Sequence, residues 1–234
     1  MLALRRIPRI GSRLIYFRNL YIQTASTPNE DALKFLPSQS ILGAGARTIE
    51  ILNYRDAIIS PLAEKLFGVA GVNGILLGPD FITVEKAAEE HWNLLKPQVL
   101  SLITEHLTSG EPVINTGILQ AEDTAYDEND SDAVSMIKEL IDTRIRPAIQ
   151  DDGGDIQYKG FENGIVKLKL QGACRSCDSS SITLTNGIQS MLMHYVEEVK
   201  GVEQVLDEEE KLGIEAFEKF ENDLEQNRPH TNHS

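Results

Sequence analysis

A run of acidic residues divides this chain into two units. Residues 111–132 contain seven acidic residues and no lysine or arginine, namely Glu111, Glu122, Asp123, Asp127, Glu128, Asp130 and Asp132. Such unbalanced charge cannot collapse onto itself, so the run predicts a linker. The length of 234 residues then suits two small domains. We place them at residues 30–108 and 132–210, with the acidic linker at 109–131 and a solvated acidic tail at 211–234.

The first 24 residues carry the opposite charge. They contain five arginines and no acidic residue, and apolar side chains are interleaved with the arginines. This pattern is typical of an organellar transit peptide, because a secretory signal would need an unbroken apolar stretch. It predicts a mitochondrial transit peptide at residues 1–24, removed somewhere between residues 20 and 27.

The overall composition excludes two classes of partner. The formal net charge is -14, which opposes the neutralisation of phosphates on which most nucleic-acid affinity depends. No window approaches the roughly eighteen uninterrupted apolar residues that a membrane-spanning helix requires. We therefore expect neither nucleic-acid binding nor a membrane span.

Apolar spacing and turn residues predict the elements of both units. In the first unit they indicate a helix over 58–67, followed by a hairpin of strands 72–77 and 81–84 joined across Gly78-Pro79-Asp80. They also indicate a second helix over 92–106, with Pro97 either near its first turn or kinking the helix. In the second unit they indicate a helix capped by Asp132 and ending near Pro147, and strands at 155–161 and 165–170 joined at Asn163-Gly164. They then indicate a helix that begins near Asp178 or Ser179, with an apolar face from Leu184 to Val199, and a last strand at 202–206. The second unit is thus predicted as helix, strand, strand, helix, strand, an α+β fold.

The chain has two cysteines, Cys174 and Cys177, which form a Cys-x-x-Cys pair between the second strand and the next helix. The N-terminus of that helix favours a thiolate, as do the nearby cations of Arg175, Lys169 and Lys167, whereas Asp178 opposes it. No general acid, nucleophile–base pair or substrate pocket is evident, so an enzyme is not predicted.

Three kinds of site remain open for this pair. A thioredoxin-like dithiol redox site needs only these two cysteines, although such a motif normally opens a helix in a parallel sheet, and here an Asn-Gly hairpin leads into it. A zinc or iron–sulfur site needs about four ligands, so a complete thiolate shell would take two sulfurs from each of two chains. Two buried structural thiols are the third possibility.

Several segments resemble a known family. Asp151-Asp152-Gly153-Gly154-Asp155, the sequence Gly172-Ala173-Cys174-Arg175-Ser176-Cys177 and the stretch from Ile182 to Ile188 resemble the C-terminal domain of NifU-like (Nfu) proteins. Ser60-Pro61-Leu62-Ala63 and the segment Gly78 to Val84 are similar to the N-terminal domain of mitochondrial members. The resemblance covers about residues 30–210.

The resemblance implies a scaffold or carrier of a 4Fe-4S cluster that bridges two chains, with Cys174 and Cys177 as the ligands. It implies a homodimer or higher oligomer in the loaded state, upstream cluster assembly proteins as donors, and recipients that include lipoyl synthase and respiratory-chain complexes in the mitochondrial matrix. The acidic linker would let the first domain dock on a recipient while the second presents the cluster. One departure is Asp178, because the family usually has proline directly after the second cysteine.

Overall fold

The computed structural model describes residues 20–43, 45–115, 123–125, 127–175 and 178–206, with the backbone alone described for 178–182. Most of the predicted transit peptide, the acidic tail at 211–234 and Cys177 lie outside these residues. The described chain forms two α+β domains, which confirms the predicted fold class. No helix in the part of the chain that the structure describes combines the length and the hydropathy of a membrane-spanning segment.

The N-terminal domain, residues 22–115, is an antiparallel five-stranded sheet with two helices packed on one face. Its elements are β1 (Ile22–Ser26), β2 (Ala32–Pro37), β3 (Ile49–Ile51), α1 (Pro61–Phe67), β4 (Val72–Leu77), β5 (Ile82–Lys86) and α2 (Trp92–Ser109). The strand order is β1-β2-β5-β4-β3. Alternate apolar residues of the sheet, such as Phe35, Ile75 and Val84, form one core with Leu66 of α1 and Val99 of α2. The predicted hairpin is confirmed as β4 and β5.

Two features of this domain differ from the predicted elements. β1 pairs with β2 from Ile22 onward, so the sheet begins ahead of the predicted domain start at residue 30 and includes residues 22–24 of the predicted transit peptide. Its sequence holds little apolar alternation, which is why the pattern does not reveal it. The helix predicted over 58–67 is wrong as one element, because a 3₁₀ turn at Asp56–Ile59 stops before α1. Ser60 caps α1 by accepting the N–H of Ala63 at 3.1 Å, and Pro61 occupies the first turn of that helix.

The C-terminal domain, residues 132–206, has the predicted order of helix, strand, strand, helix, strand. Its elements are α3 (Asp132–Leu140), a π-helical segment (Ile141–Ile145), α4 (Arg146–Asp151), β6 (Gly154–Glu162), β7 (Ile165–Gly172), α5 (Asp178–Tyr195) and β8 (Gly201–Gln204). β7 lies in the middle of the sheet, antiparallel to β6 and parallel to β8. Asn163 and Gly164 both have positive φ, at 54° and 87°, so the predicted hairpin turn is confirmed.

The first helix of this domain begins and ends differently from the prediction. Ser131 is the cap residue, because its side chain accepts the N–H of Val134, whereas Asp132 is the first helical residue. Helical structure then runs past Pro147 to Asp151 through the π-helical segment. Pro147 lies in the first turn of α4, directly after the π-helical segment.

Part of the predicted linker is packed rather than solvated. The side chain of Asp123 is only 8% exposed and accepts hydrogen bonds from Arg146 Nη2 at 3.0 Å and from the N–H of Tyr158 at 2.6 Å. Arg47 of the N-terminal domain lies 3.7 Å from the same carboxylate. The acidic run cannot collapse onto itself, but arginines from both domains neutralise this residue.

His106 on α2 makes the stability of the fold sensitive to pH. Its side chain is fully buried, with Nδ1 3.3 Å from Lys65 Nζ. Burial, and then the Lys65 cation, lowers the pKa of His106 below its ordinary value near 6.5, and Glu111 opposes this only in part. The unfolded chain therefore takes up a proton that the folded chain resists, so the free energy of unfolding is expected to decrease as the pH falls below about 6.5.

Urea unfolding between about pH 7.5 and pH 5.5 measures this dependence. The His106→Gln variant should show a flatter pH dependence than the wild type. His91→Gln, at an exposed position, is the matched control and should keep the wild-type slope. Equal slopes for the wild type and His106→Gln would contradict the prediction.

Candidate functional site

Cys174 lies in the turn that follows β7 and precedes α5, as predicted. Its side chain is 5% exposed and packs with the core of the C-terminal domain. The turn is held by the N–H of Arg175, which donates to the carbonyl of Gly172 at 3.0 Å, and Gly172 itself has φ of +61°. The sequence folds this way because glycine adopts that left-handed backbone without strain. The thiol thereby occupies a defined position at the C-terminal end of β7.

The start of β6 leaves room for the cysteine only because residue 154 is glycine. Gly154 pairs with Gly172 across the two strands. A Cβ at residue 154 would overlap Cys174 Sγ and would lie 3.0 Å from both Cys174 Cβ and the carbonyl oxygen of Gln171. Gly154, the first residue of β6, is therefore part of the cysteine site.

A buried ionic network supports the same strand. Asp155 is completely buried and accepts hydrogen bonds from Arg146 Nη1 at 3.2 Å and from Thr48 Oγ1 of the N-terminal domain at 2.6 Å. Arg146 also donates to the carbonyl of Ile156 at 2.9 Å. Buried charges of this kind are tolerated because each is paired and hydrogen-bonded. The network anchors β6 directly after Gly154, which faces Cys174.

The face of the N-terminal sheet that is not covered by α1 and α2 contacts the C-terminal domain close to the cysteine turn. Four side chains, one from each of four neighbouring strands, form a cross-strand row, namely Glu50, Leu76, Thr83 and Lys34. Glu50 Oε1 accepts the N–H of Gly172 at 2.8 Å, and Thr83 Oγ1 donates to the carbonyl of Gly153 at 2.7 Å. Lys34 Nζ donates to the carbonyl of Gln150 at 2.8 Å. Leu76 packs closely against Gly172, because a Cβ placed on that glycine would lie 2.6 Å from Leu76 Cδ2.

Arg175, which stands between the two cysteines in the sequence, is paired with carboxylates of the N-terminal domain. Its Nε lies 3.4 Å from Glu50 Oε1, and its Nη2 lies 3.4 Å from Glu85 Oε2. The Glu50 side chain is 5% exposed, so this ion pair is largely shielded from water. The cation predicted to favour a thiolate thus also faces two acids from the other domain.

The other residues predicted to influence the cysteines are placed as follows. Lys167 is paired with Glu162 at 2.6 Å toward the far end of β7. Lys169 is buried on β7. α5 begins at Asp178, as expected, but the side chain of Asp178 and the whole of Cys177 lie outside the described residues.

The two thiols of the chain are the candidate donors for an iron–sulfur site. Among the described residues, no group of three or more His, Cys, Asp and Glu side chains is placed to hold a metal ion. The sequence supplies two thiols, and thiolates are the usual ligands of iron–sulfur clusters. Cys174 fits as one ligand by chemistry, with Cys177 as the other candidate.

Sequence reasoning missed the residues of the N-terminal domain that face the cysteine turn. Glu50 and Glu85 are the polar members of short alternating strands, a pattern that usually indicates exposure to solvent. Nothing local distinguishes a strand face covered by water from one covered by another domain. The glycines at 153 and 154 were the only signal near this contact, and they indicate a turn without identifying what approaches it.

Comparison with protein families divides the chain in the same way as the structure. Residues 22–110 match the family described as the scaffold protein Nfu/NifU N terminal, and residues 137–203 match the NifU-like domain. Cys174 and Cys177 lie inside the second match.

Individual relatives match along most of the chain. A NifU-like protein of Schizosaccharomyces pombe is 51% identical over 214 residues, covering 90% of this chain and 82% of the relative. A Drosophila sechellia protein named NFU1 iron-sulfur cluster scaffold homolog, mitochondrial, is 50% identical over 207 residues, covering 88% and 72%. The solution structure of a NifU-like protein from Saccharomyces cerevisiae is 34% identical, with a TM-score of 0.40, and covers 49% of this chain and 97% of that one.

Proposed function

Because the chain belongs to the family of NifU-like (Nfu) proteins, we propose that it is an iron–sulfur cluster scaffold. It carries a 4Fe-4S cluster between two chains and delivers the cluster to recipient proteins. The observation that carries the proposal is the position of Cys174 in the turn after β7 of the NifU-like domain, with Cys177 immediately before α5 in the sequence. Relatives that are about half identical over most of the chain are named as mitochondrial iron–sulfur cluster scaffolds. The cluster is the cargo of this protein and not a resident cofactor.

The ligand count supports sharing of the cluster between two chains. A four-iron cluster is typically held by four cysteine thiolates, and each chain contains two cysteines. Two chains that each supply Cys174 and Cys177 complete the set. A homodimer is therefore the smallest assembly that can hold the cluster with cysteine alone.

Sharing the cluster also suits release. Ligands on an interface exchange one chain at a time, whereas four ligands from one chain would form a closed cage. Transfer to an incoming protein then requires its thiolates to replace those of one chain after the other. We expect recipients in the mitochondrial matrix, including lipoyl synthase and respiratory-chain complexes, and upstream assembly proteins as donors.

Iron analysis and sedimentation test this function on the full-length chain. After anaerobic reconstitution with iron, sulfide and a thiol, we expect about two iron atoms per chain, because four are shared by two chains. The cluster-free chain should sediment as a monomer and the loaded chain as a dimer or a higher oligomer. Mössbauer spectra would distinguish a four-iron from a two-iron cluster.

Three results would contradict the proposal. A monomer that holds a full cluster would exclude sharing between chains. Zinc in the anaerobically purified protein would favour a structural metal site. An internal Cys174–Cys177 disulfide that supports turnover in an insulin-reduction assay would favour the dithiol redox alternative.

A further inference from the structure

The cysteine turn is in contact with the N-terminal domain on both sides of Cys174. The N–H of Gly172 donates to Glu50, and Arg175 is paired with Glu50 and Glu85. The thiol itself is 5% exposed and packs with the core of its own domain. Residues on either flank of the thiol are therefore held by strands β3 and β5.

The pairing of strands in the N-terminal sheet brings the contacting side chains together. The cross-strand row of Glu50, Leu76, Thr83 and Lys34 places one contacting side chain on each of four neighbouring strands. Three of these side chains reach backbone groups of the C-terminal domain within 2.7 to 2.8 Å. Hydrogen bonds to fixed backbone groups require the two domains to meet in one orientation.

Glycines on the opposing surface make the close approach possible. A Cβ at Gly153 would lie 2.9 Å from Thr27 Cγ2 and 3.1 Å from Thr83 Oγ1, and one at Gly172 would contact Leu76. The cavity left beside Glu50, Glu85 and Gly172 measures about 10 Å³. That volume has room for about one water molecule, so little solvent separates the domains at this point.

We propose that the N-terminal domain covers the cysteine turn in the cluster-free chain, and that the two domains must separate there before a cluster is loaded. This inference rests on the proposed function, because a cluster shared by two chains brings the cysteine turn of a second copy against the first. The surface around Gly172 and Arg175 cannot contact Glu50 and Glu85 and also face that second copy. Loading and domain closure therefore compete for one surface.

The competition sets how readily the chain takes up its cargo. When only the open fraction of chains can bind, the apparent affinity falls in proportion to that fraction. The contact is mainly polar, as is common between domains that move relative to one another. The ion pairs of Arg175 are the accessible point at which to weaken closure without altering a cysteine or its neighbours in sequence.

The test variant is Glu50→Gln/Glu85→Gln, which removes two charges facing Arg175 while keeping the side-chain shape. Its matched control is Glu105→Gln, an exposed position on α2. The first readout is the rate of alkylation of Cys174 by iodoacetamide in the cluster-free, full-length chain. Trypsin cuts after Lys169 and Arg175, so Cys174 and Cys177 appear in different peptides and the rates are separable by mass spectrometry.

We expect alkylation of Cys174 to accelerate by about three- to tenfold in the double variant, and not in Glu105→Gln. Hydrogen exchange of the Gly172 amide, followed by NMR, should accelerate in parallel, because this N–H faces Glu50. If the double variant is poorly folded, Thr83→Val removes the contact with Gly153 by a different route and should act in the same direction. Unchanged rates of Cys174 alkylation and of Gly172 amide exchange in these variants would contradict the proposal that the N-terminal domain covers the cysteine turn.

Measuring cluster formation distinguishes this inference from the proposed function. In the double variant, the initial rate of cluster formation from iron and sulfide should rise by a similar factor. Faster alkylation without faster loading would overturn the requirement for opening. A wild-type chain that takes up no cluster would instead overturn the proposed function, and the alkylation and exchange results would still decide whether the N-terminal domain covers the turn.

Discussion

Replacing Cys174 or Cys177 by serine is expected to reduce the iron and sulfide bound after anaerobic reconstitution to background, with loss of the brown chromophore. Each chain supplies only two thiols, so one substitution removes half of its contribution. A serine hydroxyl does not replace a thiolate, because iron–sulfur clusters are held by soft sulfur ligands. Iron and sulfide assays, together with the visible absorption spectrum, measure the effect.

Loss of the fold has to be separated from loss of a ligand at Cys174. The thiol is 5% exposed and packs in the core of the C-terminal domain, so a serine there also buries a hydroxyl. Cys174→Ala is the matched control, because it removes the sulfur without adding a polar group. Both variants should lose the cluster while retaining the circular dichroism spectrum of the cluster-free chain. A folded variant with full iron content would exclude Cys174 as a ligand.

Gly154→Ala is expected to lower the free energy of unfolding by about 1 to 3 kcal/mol, because the added methyl group overpacks a filled site. The new Cβ would overlap Cys174 Sγ and lie 3.0 Å from Cys174 Cβ and from the Gln171 carbonyl oxygen. The cysteine must move to accommodate it, so the variant should also lose its cluster faster than the wild type. Urea unfolding of the cluster-free chain and the iron content of the loaded chain over time measure the two effects.

Gly187→Ala is the matched control for this substitution. Gly187 lies within α5, and nothing is found within 4 Å of a Cβ placed there. Alanine at this position should raise the free energy of unfolding by about 0.5 to 1 kcal/mol, because glycine loses more backbone entropy in a helix. Equal stabilities for the wild type and Gly154→Ala would show that the glycine is not needed to seat the cysteine.

Elements with a local cause were predictable from the sequence. Asn163-Gly164 identified a hairpin because these two residues tolerate positive φ, and both adopt it. Alternation of Val166, Leu168 and Leu170 identified β7, because these three side chains lie on one face of the strand and pack in the core of the C-terminal domain. The Cys-x-x-Cys pair between a strand and a helix also depends only on neighbours in the chain.

Elements that depend on distant partners were not predictable. Asp123 belongs to an acidic run, but Arg146 and the N–H of Tyr158 bind it. Glu50 was indistinguishable from a solvent-facing residue, and its partner Gly172 lies 122 residues away. The break at Ser60 was missed because the helical apolar spacing continues through it, although the Ser-Pro sequence indicates a cap.

The sequence alone determined the two-domain α+β organisation, the hairpin of the second domain and the pair of thiols that serves as the candidate ligand set. These features follow from the periodicity of apolar residues, from the residues that form turns and from the chemistry of the cysteines, all of which depend only on neighbours in the chain. Only the tertiary structure decided that the N-terminal sheet lies against the cysteine turn and that the side chain of Asp123 is shielded from water. Such contacts join residues far apart in the chain, and their energy depends on which surfaces meet once both domains have folded.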